Sequence, residues 1–199
     1  KVVDKSGALE DGGVFIMSKW PITAEHQTVY NDCNAEDCLS PKGVMYARID
    51  KNGQNYHIFG SHTQAWANDK AQAARALQFQ QLRSFIDSRN IPADEAVIVA
   101  GDLNVDKLHY SSEYELMLQI LNASEPEKAD YGHDVTADDV TNNLAGDGQE
   151  YLDYVLYLND HLQPITATNG ALVRKSIANN VFGSWEYSDH YPVLGVFSF

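Results

Sequence analysis

The chain has 199 residues, 44% of them hydrophobic, and a formal net charge of −14 at pH 7. This length is sufficient for one domain with a buried core, and no apolar run approaches the ~20 residues of a membrane-spanning helix. The negative charge would repel a phosphate backbone, which argues against non-specific nucleic-acid binding, although a charge of this sign is also typical of a well-solvated surface.

The first half of the chain contains three short apolar segments that predict strands. Val14–Ser18 is the first, and it ends before a Lys-Trp-Pro sequence. Val44–Ile49 and Tyr56–Gly60 follow on either side of Asn52-Gly53, a dipeptide typical of a two-residue hairpin turn. The sequence therefore predicts a hairpin centred on that dipeptide.

Two helices are predicted. Apolar residues recur at helical spacing from about Asp69 to Arg89, and Pro92 follows as a stop. Ser112 and Glu115 have the spacing of a capping box, which predicts the start of a second helix. The face that this second helix would bury contains Tyr114, Met117, Leu118 and Leu121.

The remaining pattern favours an α/β fold with mixed sheets. The continuous apolar run Ala96–Ala100 is typical of a central strand, and Tyr151–Leu158 and Val193–Phe199 read as further strands. Residues 122–149 are polar and lack a clear period, which predicts a long loop. We find no repeat or linker, so we expect residues 1–199 to form a single domain.

The two cysteines are only five positions apart. Cys33 and Cys38 lie in one polar stretch with no histidine nearby, which argues against zinc. We favour a small disulfide loop in an exported protein, and two free thiols in a cytosolic protein are the alternative. So short a loop would add little global stability, and its effect would be to fix a local turn.

Polar side chains follow the predicted central strand. Asp102 and Asn104 are two positions apart, and in an extended chain they would share one side. A carboxylate and an amide there suit a hydrated Mg²⁺ and a phosphate oxygen. The alternative is a Gly-Asp turn in which the aspartate accepts hydrogen bonds from backbone amides.

Other candidate residues also lie at strand ends. His62 ends one strand and Asp189-His190 precedes another, although each could have a purely structural role. Asp153 lies among apolar strand residues, and a buried carboxylate needs a strong partner such as a histidine N–H. If the strand is exposed on that side, Asp153 has no such role.

Together these residues are the set used in metal-assisted phosphodiester hydrolysis. One histidine would accept a proton from water, an aspartate would orient it, and a metal would bind the phosphate. A serine hydrolase is less consistent with the sequence, since no Gly-x-Ser-x-Gly motif occurs.

The ordered set of motifs resembles the endonuclease/exonuclease/phosphatase superfamily and, within it, the secreted bacterial neutral sphingomyelinases. Each motif is short, but their order is specific and the match spans nearly the whole chain. In chain order the motifs are Gly12-Gly13-Val14 running to Ile22, Pro41-Lys42-Gly43, His62-Thr63-Gln64, Gly101 to Val105, Glu150 to Tyr157, and Ser188 to Val193. The resemblance implies a four-layer sandwich of two packed mixed β-sheets flanked by helices.

The resemblance also implies catalytic roles. His190 would be the general base that activates water, and Asp153 would orient it. His62 would stabilise phosphate or protonate the leaving oxygen of ceramide. The reaction would release phosphocholine and ceramide from sphingomyelin.

A divalent cation is implied as cofactor, Mg²⁺ first among the candidates. Asp102 and Asn104 would position water and phosphate beside it, and Asp189 and His190 would complete the metal and phosphate shell. Two further positions are implied as supports, Asp139 and Glu150.

The chain departs from the family pattern in two ways. It resembles only about the C-terminal two-thirds of such an enzyme, without an early glutamate that ligates the metal, so we expect residues 1–199 alone to bind Mg²⁺ weakly. The aromatic hairpin that often precedes the last motif is short here. Peripheral contact with a bilayer would then involve Trp66, Phe182 and Trp185, with a core position as the alternative for Trp185.

The resemblance thus predicts a secreted, monomeric sphingomyelin phosphodiesterase that does not bind nucleic acid. Two alternatives remain open. One is a nuclease of the pancreatic deoxyribonuclease type, which the charge of −14 opposes. The other is an inactive lipid-binding fragment.

Overall fold

The computed structural model describes residues 12–138, 144, 148–175 and 186–199. The two α-helices are α1 (Asp69–Asp87) and α2 (Ser111–Leu121), and a 3₁₀ helix spans Ala35–Leu39. The strands are β1 (Ile22–Val29), β2 (Gly43–Lys51), β3 (Gln54–His62), β4 (Ala96–Asp102), β5 (Ala123–Ser124), β6 (Glu127–Lys128), β7 (Ala137–Asp138), β8 (Gln149–Glu150), β9 (Asp153–Leu158), β10 (Thr166–Ala171) and β11 (Val193–Ser198).

A six-stranded mixed sheet is the centre of the fold. Its strand order is β1-β2-β3-β4-β9-β5, in which only β3 and β4 are parallel neighbours. The predicted central strand is confirmed, since β4 pairs on both sides and Ala96, Val97 and Val99 are buried. A strand that is covered on both faces and paired at both edges reads as a continuous apolar run.

The predicted hairpin joins β2 to β3. Lys51 pairs with Gln54, so Asn52 and Gly53 are the two turn residues. Both have positive φ, 58° and 86°, as a type I′ turn requires. The prediction is confirmed because Asn-Gly is one of the few dipeptides that adopt this backbone without a large steric cost.

Both helices cover one face of the large sheet. The first begins at the cap residue Asn68, whose side chain accepts a hydrogen bond from Ala71 N–H at 3.1 Å, and buries Phe79, Leu82 and Ile86 against the sheet. The buried face predicted for the second helix is confirmed, since its four predicted residues all belong to the same core or pack against it.

The predicted capping box is wrong. Helix α2 begins at Ser111, and its N-cap is Tyr110, two residues before Ser112, with no side-chain capping bond. Glu113 in its first turn instead pairs with Arg75 of α1. The first turn of α2 is therefore joined to α1 by an ion pair that local spacing does not reveal.

A second, three-stranded sheet, in the order β11-β10-β6, packs on the other face of the large sheet. Phe197 approaches Tyr157 with ring centroids 6.3 Å apart, and Phe199 approaches Tyr56 at 5.6 Å. A Cβ added at Gly195 would lie 2.8 Å from Val155 Cγ1, so the two sheets meet too closely there for any side chain. Helices, large sheet and small sheet thus form successive layers, and the α/β class with packed mixed sheets is confirmed.

Two predicted elements differ from the structure. Val14–Ser18 is an extended segment outside all the sheets: Val14 and Ile16 pack over Gly60, whereas Met17 is 82% exposed. A short apolar run indicates burial, and a strand also needs a backbone partner. The predicted loop at 122–149 contains β5, β6 and β7, strands of two residues each, which are too short for a periodic signal.

Candidate active site

The candidate residues converge at one edge of the large sheet. Strands β3 and β4 are parallel and end at His62 and Asp102, so their carboxyl ends lie side by side. Strand β9 runs antiparallel to β4 and begins at Asp153, which is the direct cross-strand partner of Asp102. Strand direction alone therefore brings Asp102 next to His62, which lies 40 positions earlier in the chain, and next to Asp153, which lies 51 positions later.

The turn after β4 has an unusual backbone. Gly101 has φ of +140°, and a Cβ there would lie 2.0 Å from Ser61 O, so only glycine fits. Asn104 has φ of 50°, and its backbone N–H donates to Asp102 Oδ1 at 2.9 Å. The turn considered as the alternative interpretation is present, but it engages only one carboxylate oxygen. The other oxygen, Oδ2, lies 3.6 Å from His62 Nε2.

Asp153 has the histidine partner that the sequence predicts. Its Oδ2 lies 2.7 Å from Nδ1 of His190. Thr136 fixes both members of the pair: its Oγ1 accepts hydrogen bonds from the N–H groups of Leu152 and Asp153, and its carbonyl accepts one from Tyr191 N–H at 2.7 Å. The segment before β7 therefore positions the pair, and its role was not predicted because nothing in the sequence around Thr136 marks it.

Three side chains form a cluster with metal-ligating potential. One ligand atom from each of Asp102, Asp153 and His190 lies within 4.8 Å of the others. Two carboxylates in such proximity bind either a proton or a cation, and their oxygens suit a hard divalent ion. The donor set therefore fits Mg²⁺. Asp189 is exposed, and its Oδ1 accepts a hydrogen bond from Ser188 Oγ at 3.1 Å.

The residues of the cluster strongly shift one another's pKa values. Burial, together with the neighbouring charge of Asp153, raises the pKa of Asp102 to about 7. Burial opposes the charged form of His190, but the hydrogen bond and charge of Asp153, with the charges of Asp102 and Asp189, outweigh it and raise the pKa to about 9. Without a cation, the site therefore holds protons at neutral pH that a cation would displace.

His62 has the opposite shift. Burial, reinforced by the ammonium of Lys42, lowers its pKa to about 4, so its imidazole is neutral at pH 7. Lys42 is buried and its Nζ donates to Thr63 O at 2.7 Å, the same carbonyl that accepts from Asn104 Nδ2 at 3.0 Å. Lys42 thus helps to hold together the ends of β3 and β4, where the candidate residues His62 and Asn104 lie.

The sequence pattern of the Endonuclease/Exonuclease/phosphatase family matches residues 3–190. The chain belongs to this family. The match includes every residue of the cluster, from Asp102 to His190. The resemblance identified in the motifs is therefore confirmed.

Within the family, the chain is similar to several bacterial proteins named sphingomyelinase C. The sphingomyelinase C of Listeria ivanovii is 40% identical over 204 residues, which cover 94% of this chain and 60% of that protein. The crystal structure of sphingomyelinase C from Streptomyces griseocarneus superposes with a TM-score of 0.83 at 32% identity, covering 98% of this chain and 75% of that chain.

A beta toxin mutant from Staphylococcus aureus, whose structure contains bound magnesium ions, also has a TM-score of 0.83 and 32% identity, with 98% and 75% of the two chains covered. This chain therefore spans less than two thirds of the Listeria relative's length.

The predicted disulfide of this family member is present between Cys33 and Cys38. Within its loop, Asp37 Oδ2 lies 2.8 Å from Lys42 Nζ and accepts a hydrogen bond from Ala65 N–H at 2.6 Å. The disulfide therefore constrains Asp37, which binds both Lys42 and the segment after His62. The sequence indicates the disulfide but not this link, because Asp37 and Ala65 are 28 positions apart.

The remaining predicted residues lie outside the cluster. Glu150 is in β8 and lines a cavity that adjoins His190, and Trp66 lines the same cavity with 47% of its surface exposed. Asp139, Phe182 and Trp185 lie outside the described residues.

Proposed function

We propose that the protein is a divalent-metal-dependent phosphodiesterase that hydrolyses sphingomyelin to ceramide and phosphocholine. The observation that carries this proposal is the cluster of Asp102, Asp153 and His190 at the meeting point of three strand ends. The likeness to proteins named sphingomyelinase C supports the choice of substrate.

His190 is the proposed general base. Its Nδ1 is engaged by Asp153, which leaves Nε2 to accept the proton of the attacking water. The base must be neutral, and in the metal-free protein the surrounding carboxylates hold its pKa at about 9. Neutralisation of Asp102 removes one of the charges that raise this pKa, so base strength and cation binding are linked.

The attack passes a proton of the water to His190 and forms a bond between the water oxygen and phosphorus. It breaks the bond between phosphorus and the ceramide oxygen, which takes a proton from solvent water. His62 is neutral at pH 7, which favours donation of a hydrogen bond to the phosphate over full proton transfer to the leaving oxygen. Bound phosphate charge would raise the pKa of His62 and strengthen that hydrogen bond.

Mg²⁺ is the proposed cofactor, in line with the magnesium-bound beta toxin structure. Asp102 would hold it, with Asn104 Oδ1 and Asp189 as further proposed ligands, and His190 would lie on the phosphate side, since its Nδ1 bonds Asp153 and its Nε2 serves as the base. Asn104 Nδ2 already donates to Thr63 O, which leaves Oδ1 as the free ligand atom. Bound Mg²⁺ would polarise the phosphoryl oxygens and offset the charge of the carboxylates.

Mg²⁺ affinity should increase with pH. The cation competes with the proton that Asp102 binds with a pKa of about 7, so affinity should fall roughly tenfold for each pH unit below that value. Calorimetric titrations in buffers of different ionisation enthalpy should show proton release on binding at pH 6. Equal affinity at pH 5.5 and 7 would show that Asp102 is not a ligand.

We also propose that the protein is secreted, acts as a monomer and contacts the membrane surface peripherally. Neither described helix is long and apolar enough to cross a bilayer. The exposed Trp66 is the described residue proposed to reach the interface, and Phe182 and Trp185 are the other two proposed contacts.

One assay tests the proposed function. The full-length protein is offered sphingomyelin, phosphatidylcholine and duplex DNA, each with Mg²⁺ and with EDTA. We expect Mg²⁺-dependent release of phosphocholine from sphingomyelin. Cleavage of DNA without phosphocholine release would identify a nuclease, and no turnover of any substrate would favour an inactive lipid-binding protein.

A further inference from the structure

The Cys33–Cys38 disulfide closes a small surface loop that contacts the segment after β3. Both cysteines are exposed to solvent. The 3₁₀ helix Ala35–Leu39 buries none of its residues, and Leu39 is 59% exposed. Apolar packing of these residues therefore contributes little to the shape of the loop.

The backbone of the loop needs a constraint from elsewhere. Ala35 has φ of 54°, in the left-handed region that residues other than glycine rarely adopt. Asn34, the N-cap of the 3₁₀ helix, makes no side-chain capping bond. Because the loop contains a strained residue and buries no side chain of its helix, its conformation depends on the disulfide and on bonds to the rest of the chain.

Three hydrogen bonds join the loop to Gln64 and Ala65, which closely follow His62. Gln64 Oε1 accepts from Asn34 N–H at 2.6 Å, and Gln64 Nε2 donates to Asn34 O at 3.2 Å. Ala65 N–H donates to Asp37 Oδ2 at 2.6 Å. All three loop atoms belong to residues between the two cysteines, so the disulfide constrains the positions from which they act.

The segment after His62 is also joined to the end of β4. Thr63 N–H donates to Asp102 O at 3.1 Å, and the Thr63 hydroxyl donates to Leu103 O at 2.6 Å. Asn104 Nδ2 donates in return to Thr63 O at 3.0 Å. A shift of this segment would therefore move His62 relative to Asp102 and Asn104.

The disulfide is accessible to thiol–disulfide exchange, and exposed disulfides are the more easily reduced class. A dithiol reductant supplies two electrons and two protons to it. The S–S bond breaks, two thiols form, and the dithiol closes to its own disulfide. The loop then loses its covalent closure, so Ala35 can relax and Asn34 and Asp37 can leave their partners.

We infer that the Cys33–Cys38 disulfide is a redox-sensitive switch for the candidate active site, which is fully active only while the disulfide is formed. The reaction that is switched rests on the proposed function, whereas the movement of residues 63–65 does not. A protein exported from a reducing to an oxidising compartment would gain its full activity on export.

Hydrogen exchange measured by mass spectrometry tests the structural step. The full-length protein is equilibrated with reduced or with oxidised dithiothreitol at equal Mg²⁺ concentration, and alkylation reports the state of the cysteines. Amides of residues 63–65 should exchange faster in the reduced protein, because the Ala65 N–H loses its acceptor on Asp37. Amides of β10, in the other sheet, are the internal control and should be unchanged. Equal exchange of residues 63–65 in the two states would refute the switch.

Turnover provides a second measurement. Reduction should lower kcat for sphingomyelin about tenfold, less than the roughly 10²-fold that a misplacement of about 1 Å can cost. Oxidised dithiothreitol should restore kcat. The matched control combines Cys33→Ser with Cys38→Ser, and it should have the lowered kcat in both buffers. A response of this variant to dithiothreitol would place the effect elsewhere and refute the switch, and the reduced wild-type protein keeps the test decisive if the variant does not fold.

The two proposals fail separately. Faster exchange of residues 63–65 on reduction, without turnover of any substrate in either state, would refute the proposed function and retain the redox-dependent movement. Equal turnover of sphingomyelin by the oxidised and reduced proteins would retain the proposed function and refute the switch.

Discussion

Replacing His190 with alanine should lower kcat for sphingomyelin by about 10²–10⁴-fold, the usual contribution of a general base. The variant should remain folded, because the described hydrogen bonds of the His190 imidazole go only to Asp153. Initial rates with saturating Mg²⁺, together with thermal unfolding of each protein, measure both effects. His26→Ala is the matched control, since His26 is exposed on the edge strand β1.

A companion variant tests how the base is tuned. Asp153→Asn should also lower kcat, and it should move the apparent pKa of the base downward, because Asp153 is a major cause of the raised pKa of His190. The pH profile separates orientation of the imidazole from a merely structural role, which would leave that pKa in place. Near-normal kcat in His190→Ala would exclude His190 as the base.

Replacing Arg75 with methionine should destabilise the protein by about 3–5 kcal/mol, the cost of removing one member of a buried ion pair. Arg75 is 1% exposed, and its loss leaves the carboxylate of Glu113, whose side chain is only 9% exposed, without its charged partner. Two loop carbonyls also lose a donor, those of Gln64 and Trp66. Urea denaturation measures the change in the free energy of unfolding.

The control for this prediction lies on the same helix. Arg83 forms ion pairs with Asp87 and Asp160, but these are partly exposed, so Arg83→Met should cost no more than about 1 kcal/mol. Combining Arg75→Met with Glu113→Leu should be less destabilising than Arg75→Met alone, because the unpaired carboxylate is also removed. Equal losses in Arg75→Met and Arg83→Met would show that burial of the first pair has no energetic consequence.

The strongest local signals predicted the fold best. Asn52-Gly53 determines its hairpin because the required positive φ values are a property of those two residues. The run Ala96–Ala100 marks the centre of the large sheet because a strand paired at both edges and largely buried favours a continuous apolar run. Val14–Ser18 has a similar composition, but its conformation depends on whether a partner strand is available.

The members of the candidate site were predictable from the sequence, but the hydrogen bonds that position them were not. Asp102, Asp153 and His190 stand out as polar residues next to apolar strands. Thr136 does not stand out, since a threonine in a loop is common in any sequence, and the Pro41-Lys42-Gly43 motif marks Lys42 without indicating its partner. Their importance follows from hydrogen bonds between residues far apart in the chain, which no local pattern encodes.

The sequence by itself determined the family, the α/β class, the disulfide and the chemical types at the site, because these depend on short motifs and their order. Only the tertiary structure decided that Asp102 and Asp153 face each other across two antiparallel strands, where both raise the pKa of His190, whereas burial beside Lys42 lowers the pKa of His62. It also decided that Trp66 lines a cavity next to His190. The reason is physical: burial and charge proximity depend on distances in space, and the chain fixes those distances only when it folds.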